Sequence, residues 1–122
     1  MQRMTPGSRI YVAGHRGLVG SALVRRLERA GFQDLILRTR SELDLCSQAE
    51  VRSFFEAERP EFVFLAAAKV GGIHANSAFP ADFIYENLIV EANTFMPRTL
   101  VIFVVPALPL PSSFILRPCA RA

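Results

Sequence analysis

The chain has 122 residues, 51% of them apolar, which is enough for one modest domain with a core. Its net charge of +3 has one origin: residues 1–92 hold 11 Lys+Arg against 11 Asp+Glu, and beyond them stand Arg98, Arg117 and Arg121 with no acid. A balanced body without a basic stripe excludes an electrostatic case for nucleic acid. Cys46 and Cys119 fit no CxxC pattern, so neither a metal nor a disulfide is indicated, and a reduced, cytoplasmic setting is the default. The N-terminus lacks the apolar core of a signal peptide.

In chain order, Arg9 to Ala13 is a β-branched and aromatic run ending at a glycine, which predicts a strand and a turn. From Leu18 to Ala30, apolar residues at Leu18, Val19, Ala22, Leu23 and Leu27 keep helical spacing, and Gly31 stops the helix. Asp34 to Arg38 predicts a second strand. Ser47 to Glu58 predicts a helix, with Ser47 as N-cap and Glu50 completing a capping box. Pro60 ends it, and Glu61 to Ala68 predicts a third strand, apolar on both faces. Pro80 suits the first turn of a third helix running to about Asn93. Three strand–helix units in succession predict an α/β fold, an incomplete doubly wound parallel sheet of Rossmann type.

After Asn93 the character changes. Residues 93–122 hold five of the eight prolines and no acid, so 1–93 reads as the domain and 94–122 as an atypical, irregular tail. The 18 residues from Thr99 to Leu116 carry no charge, close to the length of a membrane span. Pro106, Pro109 and Pro111, with Ser112 and Ser113 after them, argue against a regular spanning helix, so a membrane tether is the lesser alternative. Leu100 to Val105 is a candidate fourth strand. If the tail does not complete the sheet, the edge beside the first strand stands open and aggregation is expected.

Gly14, Gly17 and Gly20 lie between the first strand and the first helix. Glycines there permit a tight turn and an unobstructed approach, and the helix N-terminus behind them offers free N–H groups to a pyrophosphate. Gly20, inside the helix, would let it pack closely on the strand. The pattern alone also fits a turn with no ligand, but its strand–loop–helix setting favours a nucleotide. An NAD site presents an acid at the end of the second strand. This chain has Arg38 and Arg40 there, with Arg16 in the loop, which suits the 2′-phosphate of NADP(H); the competing reading is ordinary solvated charge. Asp44 falls where an adenine rim could lie, or simply serves the turn before the next helix. Ala66, Ala67 and Ala68, followed by Lys69 and the pair Gly71–Gly72, leave room for a dinucleotide at the end of the third strand, or allow tight helix–sheet packing. Lys69 could meet a phosphate or be solvated. His15 and His74 lack partners at ligand spacing and read as structural rather than catalytic.

Four stretches together, Gly14-His15-Arg16-Gly17-Leu18-Val19-Gly20, Leu37-Arg38-Thr39-Arg40, Leu65 to Ile73 with Ala75-Asn76, and Pro80 to Asn87, closely resemble the GDP-L-fucose synthase family. These are NADP-dependent epimerase–reductases of the extended short-chain dehydrogenase class, and the resemblance covers residues 8 to 93. It implies epimerisation of GDP-4-keto-6-deoxy-D-mannose at C3 and C5, reduction at C4 with NADPH, and a homodimer in the intact enzyme. By the same resemblance Gly14, His15, Arg16, Gly17, Leu18, Val19 and Gly20 hold the pyrophosphate, and Arg16 and Arg38 take the 2′-phosphate. Arg40 and Leu45 lie near the adenine, and Ala66, Ala67 and Ala68 border the cofactor.

The family's serine, Tyr-x-x-x-Lys pair and acid–base Cys and His lie beyond the third helix. Here no tyrosine follows Tyr85 and no lysine follows Lys69, while Ser112, Ser113 and Cys119 stand in no matching context. No catalytic residue is therefore assigned, and the chain reads as a truncated, inactive member. The family continues past this helix with His-Ala-Ala-His, which the codons behind Thr94 to Thr99 can spell in another frame; residues from about 94 onward are expected to be out-of-frame translation. The alternative is a non-catalytic nucleotide-binding module.

Overall fold

The computed structural model describes residues 3–67, 80–95 and 100–103. Four strands, β1 (Ile10–Ala13), β2 (Leu35–Ile36), β3 (Phe62–Leu65) and β4 (Leu100–Phe103), alternate with three helices, α1 (Leu18–Arg29), α2 (Gln48–Glu58) and α3 (Pro80–Thr94). The strands form one parallel sheet in the order β2-β1-β3-β4. Tyr11 lies opposite Ile36 on one side and Val63 on the other. β1 is thus flanked on both sides, and among the described residues the strands at the two edges of the sheet are β2 and β4. The candidate fourth strand is real: Leu100 to Phe103 pair in register with Phe62 to Leu65.

The two sheet faces carry separate cores, as a parallel sheet buried on both sides requires. Ile10, Val12 and Phe62 point to one face and pack with Leu27 of α1, with Val24 and Phe32 at its rim. Tyr11, Ala13, Val63 and Leu65 point to the other and meet Val51, Phe54 and Phe55 of α2, with Val90 of α3 against them. The Tyr11 and Phe54 rings stand 4.7 Å apart between centroids. Asn93 ties α3 down by donating from Nδ2 to the Leu45 carbonyl at 2.9 Å. At the N-terminal edge of the sheet Arg9 Nε donates to Asp34 at 2.8 Å, and Arg9 Nη1 to the Glu58 carbonyl at 3.0 Å.

The helix α1 forms as read, with a buried face narrower than its apolar positions span, and two other local readings need correction. The buried face of α1 runs through Gly20, Val24 and Leu27, at i, i+4 and i+7, whereas Leu18 is 88% exposed and Ala22 is exposed too. Leu18 opens the helix about 200° around from Gly20, so it faces away from the sheet. β2 is two residues long, not five, because an edge strand needs only the pairs that β1 offers. In α2 the Ser47 hydroxyl accepts from the Glu50 N–H as expected, but Glu50 reaches back to the Asp44 N–H at 3.0 Å rather than to Ser47. The Ser47 N–H is already taken by the Asp44 carbonyl, which removes the donor the second arm of the box would use.

Candidate functional site

The strand order reverses direction between β1 and β3, and the crevice beyond the carboxyl ends of such a pair is where open α/β sheets bind ligands. The chain leaves β1 through Gly14 at φ +78, a conformation natural to glycine. A Cβ on Gly14 would lie 2.8 Å from the Ala66 carbonyl group and the Ala67 nitrogen, so the loop sits directly against the end of β3. A Cβ on Gly20 would fall 1.9 Å from the Gly14 carbonyl oxygen. The close approach at Gly20 is therefore to the loop, not to the strand as the sequence suggested. Together the two glycines draw the first turn of α1 down onto the crevice.

That turn is electrostatically open. Gly17 is the N-cap and makes no side-chain cap, and no acidic residue stands in the first turn. The leading N–H groups of α1 have no partner within the helix, and the positive end of its dipole faces outward.

Around the crevice lies a pocket of about 420 Å³. The glycine loop contributes Gly14, His15, Arg16 and Gly17; the segment after β2 contributes Arg38, Thr39, Arg40, Leu43, Asp44, Leu45 and Cys46. Ala67 comes from the end of β3, Tyr11 from β1, and Glu86, Asn87 and Val90 from α3. Of the residues expected at the cofactor, Gly14, His15, Arg16, Gly17, Arg38, Arg40, Leu45 and Ala67 are thus gathered in one place. Leu18 points outward, Val19 is half-buried, and Gly20 and Ala66 act behind the wall as packing partners of Gly14. Ala68, Lys69, Gly71, Gly72 and His74 lie outside the described residues.

The charged groups divide into engaged and available. Arg38 donates from Nη2 to Glu58 at 2.9 Å and from Nη1 to the Leu37 carbonyl at 3.0 Å, with its guanidinium carbon 6.0 Å from the Phe54 ring centre. Arg16 and Arg40 are exposed and form no ion pair among the described residues. The Nδ1 atom of His15 is buried with no hydrogen-bond partner among the described residues. Thr39 anchors the rim: its N–H and hydroxyl donate to Glu42 at 2.7 and 2.8 Å, and these bonds hold the Glu42 carboxyl below its ordinary value. Asp44 does serve the turn, accepting from the Cys46 N–H at 3.0 Å, and it also lines the pocket. Burial, and then the charges of Asp44 and Glu86, push the Cys46 thiol up, away from a reactive thiolate. Burial raises Tyr11 to about 12, which keeps its phenol neutral under the pocket. Among the described residues no group of three or more His, Cys, Asp or Glu is placed to hold a metal, and no helix is long and apolar enough to cross a membrane.

The sequence missed Tyr11, Leu43, Cys46 and Val90 as pocket residues. Alternation along β1 puts Tyr11 on the α2 face, but only the sheet order brings α3 over it.

This donor set fits a phosphorylated dinucleotide. The glycine loop supplies uncapped N–H groups and the buried His15 Nδ1, the rim supplies Arg16 and Arg40, which form no ion pair among the described residues, and apolar side chains line the far wall.

Comparison with known proteins agrees. The model of the NAD dependent epimerase/dehydratase family matches residues 10–96. The chain is 64% identical over 86 residues to "Putative GDP-L-fucose synthase 2" of Arabidopsis thaliana, covering 70% of this chain and 26% of that protein. To the GDP-L-fucose synthase of Escherichia coli (strain K12) it is 56% identical over 85 residues, covering 70% of this chain and 26% of the relative. The structure of the GDP-mannoheptose C4 reductase from Campylobacter jejuni with NADP bound superposes with a TM-score of 0.77 at 46% identity, covering 83% of this chain and 33% of that one. The chain spans about a quarter of the length of the two synthases it matches.

Proposed function

Because the chain belongs to the NAD dependent epimerase/dehydratase family, we propose that it forms the cofactor-holding part of a GDP-L-fucose synthase and binds NADP(H) in the pocket at the end of β1. The observation that carries this reading is the arginine set at the rim. Where an NAD site presents a carboxylate, this pocket presents Arg38 and Arg40, with Arg16 in the loop. Gly14 to Gly17 and the start of α1 take the pyrophosphate through backbone N–H groups, helped by His15. Arg16 and Arg38 meet the 2′-phosphate, Arg38 on release from Glu58, with Arg40 beside them at the adenine end, and Leu43, Leu45 and Val90 border the adenine.

When bound, NADPH supplies a hydride for a ketone such as the C4 carbonyl of GDP-4-keto-6-deoxy-D-mannose. What these 122 residues supply to that reaction is the binding and orientation of the cofactor; the proton that accompanies the hydride is assigned to none of them. Residues 1–93 supply that binding function, and residues from about 94 onward derive from another reading frame. A dimer, as in the family, would use the outer face of α3, where Tyr85 and Leu88 are 66% and 58% exposed. Two cysteines far apart, with no CxxC spacing, support a reducing compartment such as the cytoplasm.

The test is calorimetric titration of the chain with NADPH and NADH, repeated on Arg16→Ser and Arg38→Ser. Removing either guanidinium takes away a charge-assisted hydrogen bond to the phosphate, which is expected to weaken NADPH about tenfold and leave NADH unchanged. Equal affinity of the unsubstituted chain for both cofactors would refute the 2′-phosphate assignment, and binding of neither would refute the site.

A further inference from the structure

Glu58 has no place in the pocket, yet it holds one of the pocket's own residues. It is the last residue of α2, about 16 Å along that helix from the Ser47 cap, which adjoins the pocket residue Cys46. Its carboxylate receives Arg38 Nη2 at 2.9 Å, while Nη1 donates to the Leu37 carbonyl and the guanidinium lies over the Phe54 ring. Arg38 is therefore directed along α2 toward its C-terminal end, held at two points, although its own position is on the pocket wall. Arg16 and Arg40, on the same wall, have no such partner among the described residues.

We propose that Glu58 is a specificity-determining residue that competes with the cofactor's 2′-phosphate for the Arg38 guanidinium and so tempers the preference for NADPH over NADH. This rests on the reading of the pocket as an NADP site. A guanidinium offers five donors in a rigid fork, and a phosphate needs two of them aimed together. With Nη2 on Glu58 and Nη1 on the chain, that fork is turned to the helix. The phosphate dianion recruits Arg38 by displacing one carboxylate, and NADH, which lacks the dianion, leaves the pair intact. The Arg38 and Glu58 side chains are 35% and 32% exposed, so the pair is a weak hold that a dianion can break. Arg9 approaches the same carboxylate at 4.0 Å and donates to the Glu58 carbonyl, so Glu58 keeps a partner after Arg38 leaves.

The experiment uses the full 122-residue chain and measures the dissociation constants of NADPH and NADH for the unsubstituted protein, Glu58→Gln, Arg38→Ala and the double variant. Glu58→Gln is expected to bind NADPH roughly two- to fivefold tighter with NADH unchanged, the size of one half-exposed ion pair removed from the competition. The gain is expected to vanish in the Arg38→Ala background. Glu58→Asp, which keeps the charge and the fold but withdraws the carboxylate by one methylene, is expected to show the same direction. Unchanged or weaker NADPH binding in Glu58→Gln and Glu58→Asp, or a gain that survives loss of Arg38, overturns the proposal. If the unsubstituted chain prefers NADPH and Glu58→Gln leaves that preference as it was, Glu58 alone is misassigned. If the unsubstituted chain shows no preference, the NADP reading fails and the competition with it.

Discussion

Adding a single methyl group at Gly20 tests the architecture of the pocket. A Cβ there would stand 1.9 Å from the Gly14 carbonyl oxygen, 2.6 Å from the Gly14 carbonyl carbon and 2.9 Å from the His15 Cα, where real Cβ atoms keep beyond 3.0 Å. All three neighbours are backbone, so no side chain can rotate away, and α1 must separate from the loop by about 1 Å. Overpacking of this kind costs ~1–3 kcal/mol, and backbone on both sides puts it at the upper end. Alanine's better helix propensity returns up to ~1 kcal/mol, leaving a net loss of ~1–2 kcal/mol. At about 4–8 °C per kcal/mol for a domain of this size, the melting midpoint of Gly20→Ala falls by roughly 5–15 °C. Gly7→Ala, with nothing within 4 Å of the added Cβ, is the control and stays within ~0.5 kcal/mol. Thermal melts followed by circular dichroism read the stability, and NADPH titration of the same samples reads the site. Because the shift also moves the leading N–H groups of α1, cofactor affinity falls with the midpoint. A Gly20→Ala protein that melts and binds like the unsubstituted chain would refute the close packing of α1 on the glycine loop.

Tyr11 has a folded pKa of about 12 against an ordinary 10.0, and the cause is burial. Because the folded value is the higher, its contribution is whole below pH 10 and is lost as pH rises from 10 to about 12. The midpoint of denaturant melts should fall as pH rises through that window, and Tyr11→Phe should remove up to ~2–3 kcal/mol of the dependence; an identical profile in the variant would contradict the assignment. Ser47→Ala removes the cap of α2, whose hydroxyl-to-N–H distance is a long 3.4 Å, so urea melts should show a loss near the low end of the capping range, ~0.5 kcal/mol. Reading the coding sequence from codon 85 in three frames should reveal Ser-Ser-Cys and then Tyr-x-x-x-Lys in a frame other than the one translated; their absence from every frame would make the tail genuine and favour the plain binding module.

Much of this fold is local and was legible in the sequence. β1, α1, α2, β3 and α3 fall within a few residues of the segments that periodicity, Ser47, Pro60 and Pro80 mark, because each signal acts within its own element. What escaped depends on tertiary order. Apolar spacing in α1 could not tell Leu18 from Leu27, since the sheet face is chosen by the Gly20 approach to Gly14, a partner in the preceding loop. The sequence placed Arg38 at the rim but was silent on Glu58, twenty residues on and one helix away. The α3 wall of the pocket is likewise invisible until β3 is seated beside β1.

The most direct test of the central claim is a backbone amide NMR titration of the isotope-labelled chain with NADPH. The amides of Gly14, His15, Gly17, Leu18 and Val19 are expected to move most, with those of Thr39, Arg40 and Leu45 following. Shifts confined to other surfaces, or none at saturating NADPH, would show that this pocket is not the cofactor's site.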